Sequence, residues 1–103
     1  MGSEMCIRDR VTENRQKQAK EISRKVDAVF VLGGKNSSNT TKLYELCKLR
    51  NEKSFHIEKM EEFDKINIHK FNSIGIVSGT STPEEFIKDV IEYLKKNNFK
   101  EVE

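Results

Sequence analysis

A short apolar run, "VDAVFVL" at Val26–Leu32, limits more than any other feature how this chain can fold. It is nearly continuous and rich in β-branched residues, which is typical of a strand buried on both faces of a parallel sheet. Two further short strands are predicted at Ser54–Ile57 and Ser73–Val77. Because a strand buried on both faces needs a layer of structure on each side, the three strands predict an α/β fold.

Helical patterns alternate with the three predicted strands. The first is "TENRQKQAKEISRKV", in which Thr12 is the expected N-cap. The second is "SNTTKLYELCKLR", which begins at Ser38 and carries apolar side chains at helical spacing. The expected inward residues of this second helix are Leu43, Leu46, Cys47 and Leu49.

The segment "STPEEFIKDVIEYLKKNN" predicts the clearest helix of the chain. Thr82 is expected to cap it, Pro83 suits the first helical position, and Glu85 completes a capping box. The segment before it, "MEEFDKINIHKF", is expected to be helical at first and irregular later. The expected inward stripe of the clear helix is Phe86, Ile87, Val90, Ile91 and Leu94.

The order of elements is therefore α-β-α-β-α-β-α, which predicts a three-layer α-β-α sandwich around a short parallel sheet. Connections between parallel strands are almost always right-handed. The default strand order is 2-1-3, with Val26–Leu32 as strand 1, Ser54–Ile57 as strand 2 and Ser73–Val77 as strand 3.

Polar loops follow strands 1 and 3, where the predicted strand order reverses. They are "GGKNSSN" (33–39) and "SGTSTP" (78–83), and each leads into a helix N-terminus. Ligands of open α/β sheets bind at this point, and helix N-termini favour anions. The pattern predicts a phosphate, diphosphate or carboxylate site, to which Lys35 could add charge. The expected ligands are Ser37, Ser38, Asn39 and Ser81.

Length, charge and motifs argue against several other functions. The chain has 103 residues, enough for one small domain, and its net charge of +2 comes from interspersed lysines and glutamates, which argues against a nucleic-acid partner. Neither polar loop has the P-loop or GxGxxG spacing. Without a membrane-length apolar run or a recognisable signal peptide, we expect no membrane partner and a cytoplasmic protein.

The two ends of the chain are expected to lie outside the fold. "MGSEMCIRDR" (1–10) has the periodicity of neither a helix nor a strand, and "EMCIRDR" resembles a translated sequencing adapter. We therefore interpret residues 1–10 as an adapter or cloning artefact and assign no role to Cys6. Residues 11–97 are expected to form the α/β lobe, and residues 98–103 to fray.

The loop motifs also identify a family resemblance. "GGKNSSNTTKLYELC", with "TENRQ" upstream and "GTSTP" downstream, resembles the C-terminal third of the 4-hydroxy-3-methylbut-2-enyl diphosphate reductases, which catalyse the last step of the non-mevalonate isoprenoid pathway. The resemblance runs from about Val11 to about Asn97. It implies one lobe of a three-lobed α/β enzyme built around a [4Fe–4S] cluster, with one cluster cysteine in each lobe.

The same resemblance implies a reaction and its participants. Electrons from a ferredoxin or flavodoxin, together with protons, remove the substrate's hydroxyl group as water and leave isopentenyl and dimethylallyl diphosphate. In this family a Ser-Ser-Asn set and one further serine hold the diphosphate. The matching residues here are Ser37, Ser38, Asn39 and Ser81, with Thr12, Lys35 and Asn36 in supporting positions.

The sequence departs from the family at the cluster. Asp9 stands where the family has its third cluster cysteine, and the other cluster cysteines belong to lobes that are absent from this sequence. We therefore expect the fragment alone to hold no cluster and to be inactive, with weak diphosphate affinity remaining. Cys47 is expected to pack in the core, and neither His56 nor His69 has a metal-ligand partner at a recognisable spacing.

Two alternatives remain open from the sequence. One is a free-standing, non-catalytic α/β module that binds phosphate or diphosphate compounds, and the other is a decayed reading frame without function. A sharp, cooperative thermal transition would favour the free-standing module, whereas a broad transition would favour a lobe separated from its neighbours.

Overall fold

Strand β2, Ala28–Leu32, lies at the centre of the fold, as the apolar run predicts. The computed structural model describes residues 3–8, 23–24, 26–79 and 82–102. The other strands are β1 (Ser3–Arg8), β3 (Ser54–Ile57), β4 (Ser73–Ser78) and β5 (Phe99–Val102). The helices are α1 (Ser38–Arg50) and α2 (Glu84–Lys96), with 3-10 helices at Met60–Lys65 and Ile68–Lys70.

The sheet has five parallel strands in the order β3-β2-β4-β1-β5. Its β3-β2-β4 part is the predicted 2-1-3 arrangement, which is confirmed. In the register of these three strands, Val29 of β2 lies opposite Ser54 on one side and Gly75 on the other.

Two layers cover the sheet, so the predicted three-layer sandwich is also confirmed. Phe30 and Leu32 of β2 share a core with α2, whereas Val29 and Val31 share the opposite core with α1. All five residues of β2 are fully buried, which explains why the run lacks polar alternation. The inward residues of the helices are Leu43 and Cys47 in α1, and Ile87, Val90 and Leu94 in α2.

Helix α1 has the predicted bounds but a narrower buried face than expected. Thr40, Leu43 and Cys47 are its buried residues. Leu49 was expected to face inward and is instead 83% exposed. Position 49 lies two residues beyond Cys47, about 200° around a helix, so it cannot share the face that Leu43 and Cys47 bury.

The expected cap of α2 is wrong. Pro83 occupies the N-cap position, and no side chain caps the helix. The Thr82 hydroxyl instead donates to the Leu32 carbonyl at 2.9 Å. Thr82 therefore joins the loop after β4 to the end of β2, a partner 50 residues away that local pattern does not reveal.

The two ends of the chain also differ from expectation. Ser3–Arg8 form β1, which pairs with β4 and β5 inside the sheet, so part of residues 1–10 belongs to the fold. The foreign origin of these residues stays a prediction. Residues 98–103 were expected to fray, but Phe99–Val102 form β5 and Phe99 is only 2% exposed. Asn98, with φ of 73°, provides the left-handed turn from α2 into β5.

The remaining segments agree with the expected pattern where they are described. Ser23 and Arg24 are helical, and the rest of the first predicted helix, including Thr12, lies outside the described residues. The segment after β3 forms the two 3-10 helices, which bury Phe63 and Ile68. Within the described ranges, no helix combines the length and apolarity needed to cross a membrane.

Candidate functional site

The carboxyl ends of β2 and β4 lie side by side, and the polar loops that follow them meet there. The Gly79 N–H donates to the Leu32 carbonyl at 3.2 Å, next to the bond from Thr82 to the same carbonyl. From this point α1 packs on one face of the sheet and α2 on the other. The strand-order reversal therefore lies between the two loops, where the sequence predicts an anion site.

The loop after β2 turns directly into α1. The Ser37 N–H donates to the Gly34 carbonyl at 3.1 Å, which closes the turn. Ser37 is the N-cap of α1, and its Oγ accepts from the Thr40 N–H at 3.4 Å. Since a hydroxyl that accepts one bond still carries its own proton, Ser37 can cap the helix and donate to an anion together.

Ser38 and Asn39 occupy the first turn of α1, and both residues are exposed. The N–H groups of a first turn have no intrahelical acceptors, and the helix dipole places partial positive charge there. The first turn of α1 contains no acidic residue that would neutralise this charge. The structure thus brings Ser37, Ser38 and Asn39 together at an open helix N-terminus, while Ser81 lies outside the described residues.

Lys35 and Asn36 form the exposed tip of the turn. The Lys35 ammonium pairs with Glu62 Oε1 at 2.5 Å, and its backbone N–H donates to Glu58 Oε2 at 3.1 Å. The hydrogen bond to Glu62 raises the pKa of Lys35. The Lys35 charge is therefore directed toward the 3-10 helix that follows β3, and neutral donors dominate the start of α1.

Glu62 is held by more than this ion pair. Its Oε2 also accepts from the backbone N–H groups of Glu58 and Lys59 at 2.5 and 2.8 Å. Burial alone would raise the pKa of the Glu62 carboxyl, but the hydrogen bonds from Lys35, Lys59 and Glu58 outweigh burial, and the pKa is lowered. Glu62 thus ties the turn before α1 to the segment after β3.

His56 supports the same loop from β3. Its Nε2 lies 3.2 Å from the Gly33 carbonyl, and because a carbonyl only accepts, the ring must donate from Nε2. The Tyr44 ring lies against the imidazole, with the ring centroids 5.5 Å apart. This contact was missed by sequence reasoning, since nothing local relates His56 to Gly33. His69 is exposed on the second 3-10 helix.

Thr40 is the second residue that sequence reasoning missed. Its side chain is fully buried, and in the part of the chain that the structure describes its Oγ1 has no hydrogen-bond partner. An unmet buried hydroxyl costs about 1–3 kcal/mol. A Cβ built on Gly33 would lie 2.6 Å from this Oγ1, and a Cβ on Gly79 would overlap it as well. Thr40 therefore fills the space between the two loops.

Gly33 is required at its position for a second reason. Its φ of +147° lies in the region that L side chains rarely adopt. Its N–H donates to the Ile57 carbonyl at 3.0 Å, which anchors the loop to β3. The exit of β2 toward α1 is thus set by backbone conformation and by the space that Thr40 occupies.

Among the described side chains, no three His, Cys, Asp or Glu residues are grouped so that they could hold a metal ion by themselves. A lobe that contributes one cysteine to a shared cluster needs no such group. The expected packing of Cys47 in the core is confirmed. Burial raises the pKa of the Cys47 thiol, partly offset by a hydrogen bond with Ser23, whereas cluster ligands are thiolates.

The sequence of the chain is similar to that of a known protein family. The family model described as "LytB protein" matches residues 3–95. The "4-hydroxy-3-methylbut-2-enyl diphosphate reductase" of Clostridium perfringens (strain 13 / Type A) is 49% identical over 87 residues, which cover 82% of this chain and 31% of that protein. The protein of the same name from Pseudothermotoga lettingae is 47% identical over 85 residues, covering 82% of this chain and 30% of the relative.

Two solved structures are similar to the chain as well. "Structure of (E)-4-Hydroxy-3-methyl-but-2-enyl Diphosphate Reductase, the Terminal Enzyme of the Non-Mevalonate Pathway" has a TM-score of 0.74 at 35% identity and covers 80% of this chain and 29% of that one. The Plasmodium falciparum E-1-hydroxy-2-methyl-but-2-enyl-4-diphosphate reductase has a TM-score of 0.76 at 26% identity, covering 85% and 29%. The chain therefore spans about a third of the length of the relatives it matches, and it belongs to the LytB protein family.

Proposed function

We propose that this chain is one lobe of a 4-hydroxy-3-methylbut-2-enyl diphosphate reductase and that it binds the diphosphate group of the substrate. The observation that carries the proposal is the start of α1, where Ser37, Ser38 and Asn39 follow a glycine turn and the first turn of the helix contains no acidic residue. The names of the relatives, and the third of their length that the chain spans, support its role as a lobe of a larger enzyme.

Each proposed ligand has an N–H or O–H group that can donate a hydrogen bond to a diphosphate oxygen. Ser37 donates its hydroxyl proton while its oxygen caps α1, and Ser38 donates from the exposed first turn. The Asn39 side-chain amide is a third neutral donor, and Ser81 is the proposed donor from the loop after β4. Asn36 and Lys35 shape the turn, and Thr12 is proposed to support the site from the segment before β2.

The reaction proposed for the complete reductase replaces the substrate's C–OH bond with C–H. Two electrons and two protons are consumed, the hydroxyl leaves as water, and isopentenyl and dimethylallyl diphosphate are formed. We assign the ligands of the [4Fe–4S] cluster to residues outside the described part of the chain, since the described Cys47 thiol packs in the core. A ferredoxin or flavodoxin is the proposed electron donor. The cytoplasmic location stays a prediction. The contribution of this chain is to hold and orient the charged end of the substrate.

Titration of the ¹⁵N-labelled 103-residue chain with inorganic diphosphate, followed by NMR, tests the diphosphate site. We expect the largest amide shifts at the start of α1. Replacing both serines, Ser37→Ala with Ser38→Ala, should weaken binding by about tenfold or more because two hydrogen bonds to a charged group are lost. Ser73→Ala, at the amino end of β4, is the matched control and should leave the affinity unchanged.

Two results would contradict the proposal. One is an affinity of the double variant equal to that of the unmodified chain. The other is a set of shifts centred on the amino ends of the strands, which would place the anion at the wrong edge of the sheet.

A further inference from the structure

The buried hydroxyl of Thr40 is unexplained by the proposed ligand set. Thr40 is the third helical residue of α1, its side chain is fully buried, and its Oγ1 makes no hydrogen bond within the described part of the chain. Buried hydroxyls are nearly always paired, since an unmet donor destabilises the fold. An acceptor from outside the chain would account for the hydroxyl at this position.

The surroundings of Thr40 place this donor where the two polar loops begin. Its Oγ1 lies between Gly33 and Gly79, which are the first residues after β2 and β4. A side chain on either glycine would overlap the Thr40 oxygen, so both loops leave this space to the hydroxyl. The donor is thus central to the two loops that the anion is expected to touch.

We propose that the Thr40 hydroxyl donates a hydrogen bond to an oxygen of the diphosphate held at the start of α1. The inference rests on the proposed function and adds to it a binding residue from inside the helix. The chemistry is matched, since a diphosphate oxygen is an acceptor and Thr40 has a proton without an acceptor. The Thr40 N–H already donates to Ser37 Oγ at 3.4 Å, so both residues belong to one turn and respond to the same ligand.

Access to Thr40 requires a small movement. Because the Thr40 oxygen is fully enclosed, an anion oxygen reaches it only after Gly79 shifts away from Gly33. Two hydrogen bonds to the Leu32 carbonyl, from the Gly79 N–H and the Thr82 hydroxyl, hold the loops together. Binding must therefore be accompanied by a change at Leu32, which is visible as a shift of the Gly79 amide resonance.

The matched variants Thr40→Ser and Thr40→Ala test the proposal in the 103-residue chain, with inorganic diphosphate as the probe. Both variants lose the same methyl group, and only Ser keeps the hydroxyl. We expect Thr40→Ala to bind about tenfold more weakly than Thr40→Ser, as for loss of one hydrogen bond to a charged group. Without diphosphate, Thr40→Ala should unfold at a somewhat higher temperature than Thr40→Ser, because Ser keeps a buried hydroxyl that has no hydrogen-bond partner in the described part of the fold.

Equal affinities of the two Thr40 variants would overturn the inference. A lower unfolding temperature of Thr40→Ala without diphosphate, at equal affinities, would do so as well and would assign the hydroxyl to the fold. Ser38→Ala separates this failure from failure of the proposed function. If Ser38→Ala weakens binding while the two Thr40 variants bind alike, only the Thr40 inference fails. If Ser38→Ala also has no effect, the diphosphate site itself is wrong.

Discussion

The two helices that follow the polar loops, α1 and α2, begin in opposite ways. Helix α1 begins with the Ser37 side-chain cap, followed by neutral Ser38 and Asn39, and has no acid in its first turn. Helix α2 begins after Pro83 without a side-chain cap and carries Glu84 and Glu85 in its first turn. Both helices follow a polar, serine-containing loop, so composition alone does not separate them.

The difference lies in what each helix N-terminus can still bind. A carboxylate in the first turn stabilises a helix by about 0.3–1 kcal/mol because it compensates the positive end of the dipole. Glu84 and Glu85 supply this compensation in α2, so an external anion would meet their negative charge. In α1 no acidic side chain of the first turn compensates the positive end of the dipole, so a bound anion can do so. We infer that α1 provides the helix dipole of the site, and Ser81 stays the proposed donor from the loop before α2.

The largest effect is expected at the turn that precedes α1. Gly33→Ala places a Cβ at φ of +147° and against the Thr40 side chain, so we expect a loss of about 3 kcal/mol or more in the free energy of unfolding. Chemical denaturation measures the loss. Gly34→Ala is the matched control, because its Cβ would meet only Glu58 Oε2 at 3.6 Å, and it should stay within about 0.5 kcal/mol. Similar losses in both variants would remove the special role of Gly33.

Placing an acid at the start of α1 should make it resemble α2. Ser38→Asp puts a negative charge where the anion is expected, and diphosphate affinity should fall about tenfold to a hundredfold through like-charge repulsion. The same change should raise stability slightly, by about 0.3–1 kcal/mol, since Asp suits the first turn. Calorimetric titration and thermal unfolding of one sample give both values.

Two further variants control for shape and for the choice of helix. Ser38→Asn has the shape of the Asp variant without its charge and should bind more tightly than Ser38→Asp. Glu84→Gln should leave the diphosphate affinity nearly unchanged, because Glu85 still compensates the positive end of the α2 dipole. A strong gain in affinity on Glu84→Gln would mean that both helices bind the anion, and the contrast between them would be lost.

Breaking the hydrogen bond that links the two loops should have a moderate effect on the free energy of unfolding. Thr82→Val removes the hydrogen bond to the Leu32 carbonyl, which keeps its bond from Gly79, so we expect a loss of about 1 kcal/mol in stability. Amide hydrogen exchange locates the loss. Faster exchange at Gly79 agrees with a tie between loops, whereas faster exchange confined to Glu85 would mean that Thr82 caps α2 after all.

The smallest effect is expected from the ion pair beside the turn, and it depends on pH. The pKa of Glu62 is lowered from its ordinary value of 4.5, so its contribution to stability is present above about pH 4.5 and is lost as the pH falls through the folded pKa. Glu62→Gln should therefore unfold at a slightly lower temperature than the unmodified chain at pH 7. The two curves should converge in acid, and a difference that persists at pH 2 would contradict this account.

The local pattern was sufficient for the elements that bury one continuous surface. β2, β3 and β4 are short strands flanked by helices, and their order follows from the handedness of parallel connections. α1 begins at Ser38 as predicted, since its cap and its apolar spacing lie within one stretch of chain. The same reasoning predicts that the two polar loops lie at one edge of the sheet.

Elements whose partners are distant along the chain could not be predicted from the local sequence pattern. β1 is defined by backbone pairing with β4 and β5, and β5 by the turn at Asn98 and the burial of Phe99. Backbone hydrogen bonds of this kind leave little trace in side-chain pattern.

The sequence alone was thus enough to determine the α/β class, the central strand order and the polar loops, because each depends on periodicity within a few residues. Only the tertiary structure decided how the loops are joined. Thr82 bonds to Leu32, His56 to Gly33, and Thr40 lies between Gly33 and Gly79. These contacts depend on which backbone atoms meet across the sheet and on the space that a missing Cβ leaves, which no single stretch of sequence contains.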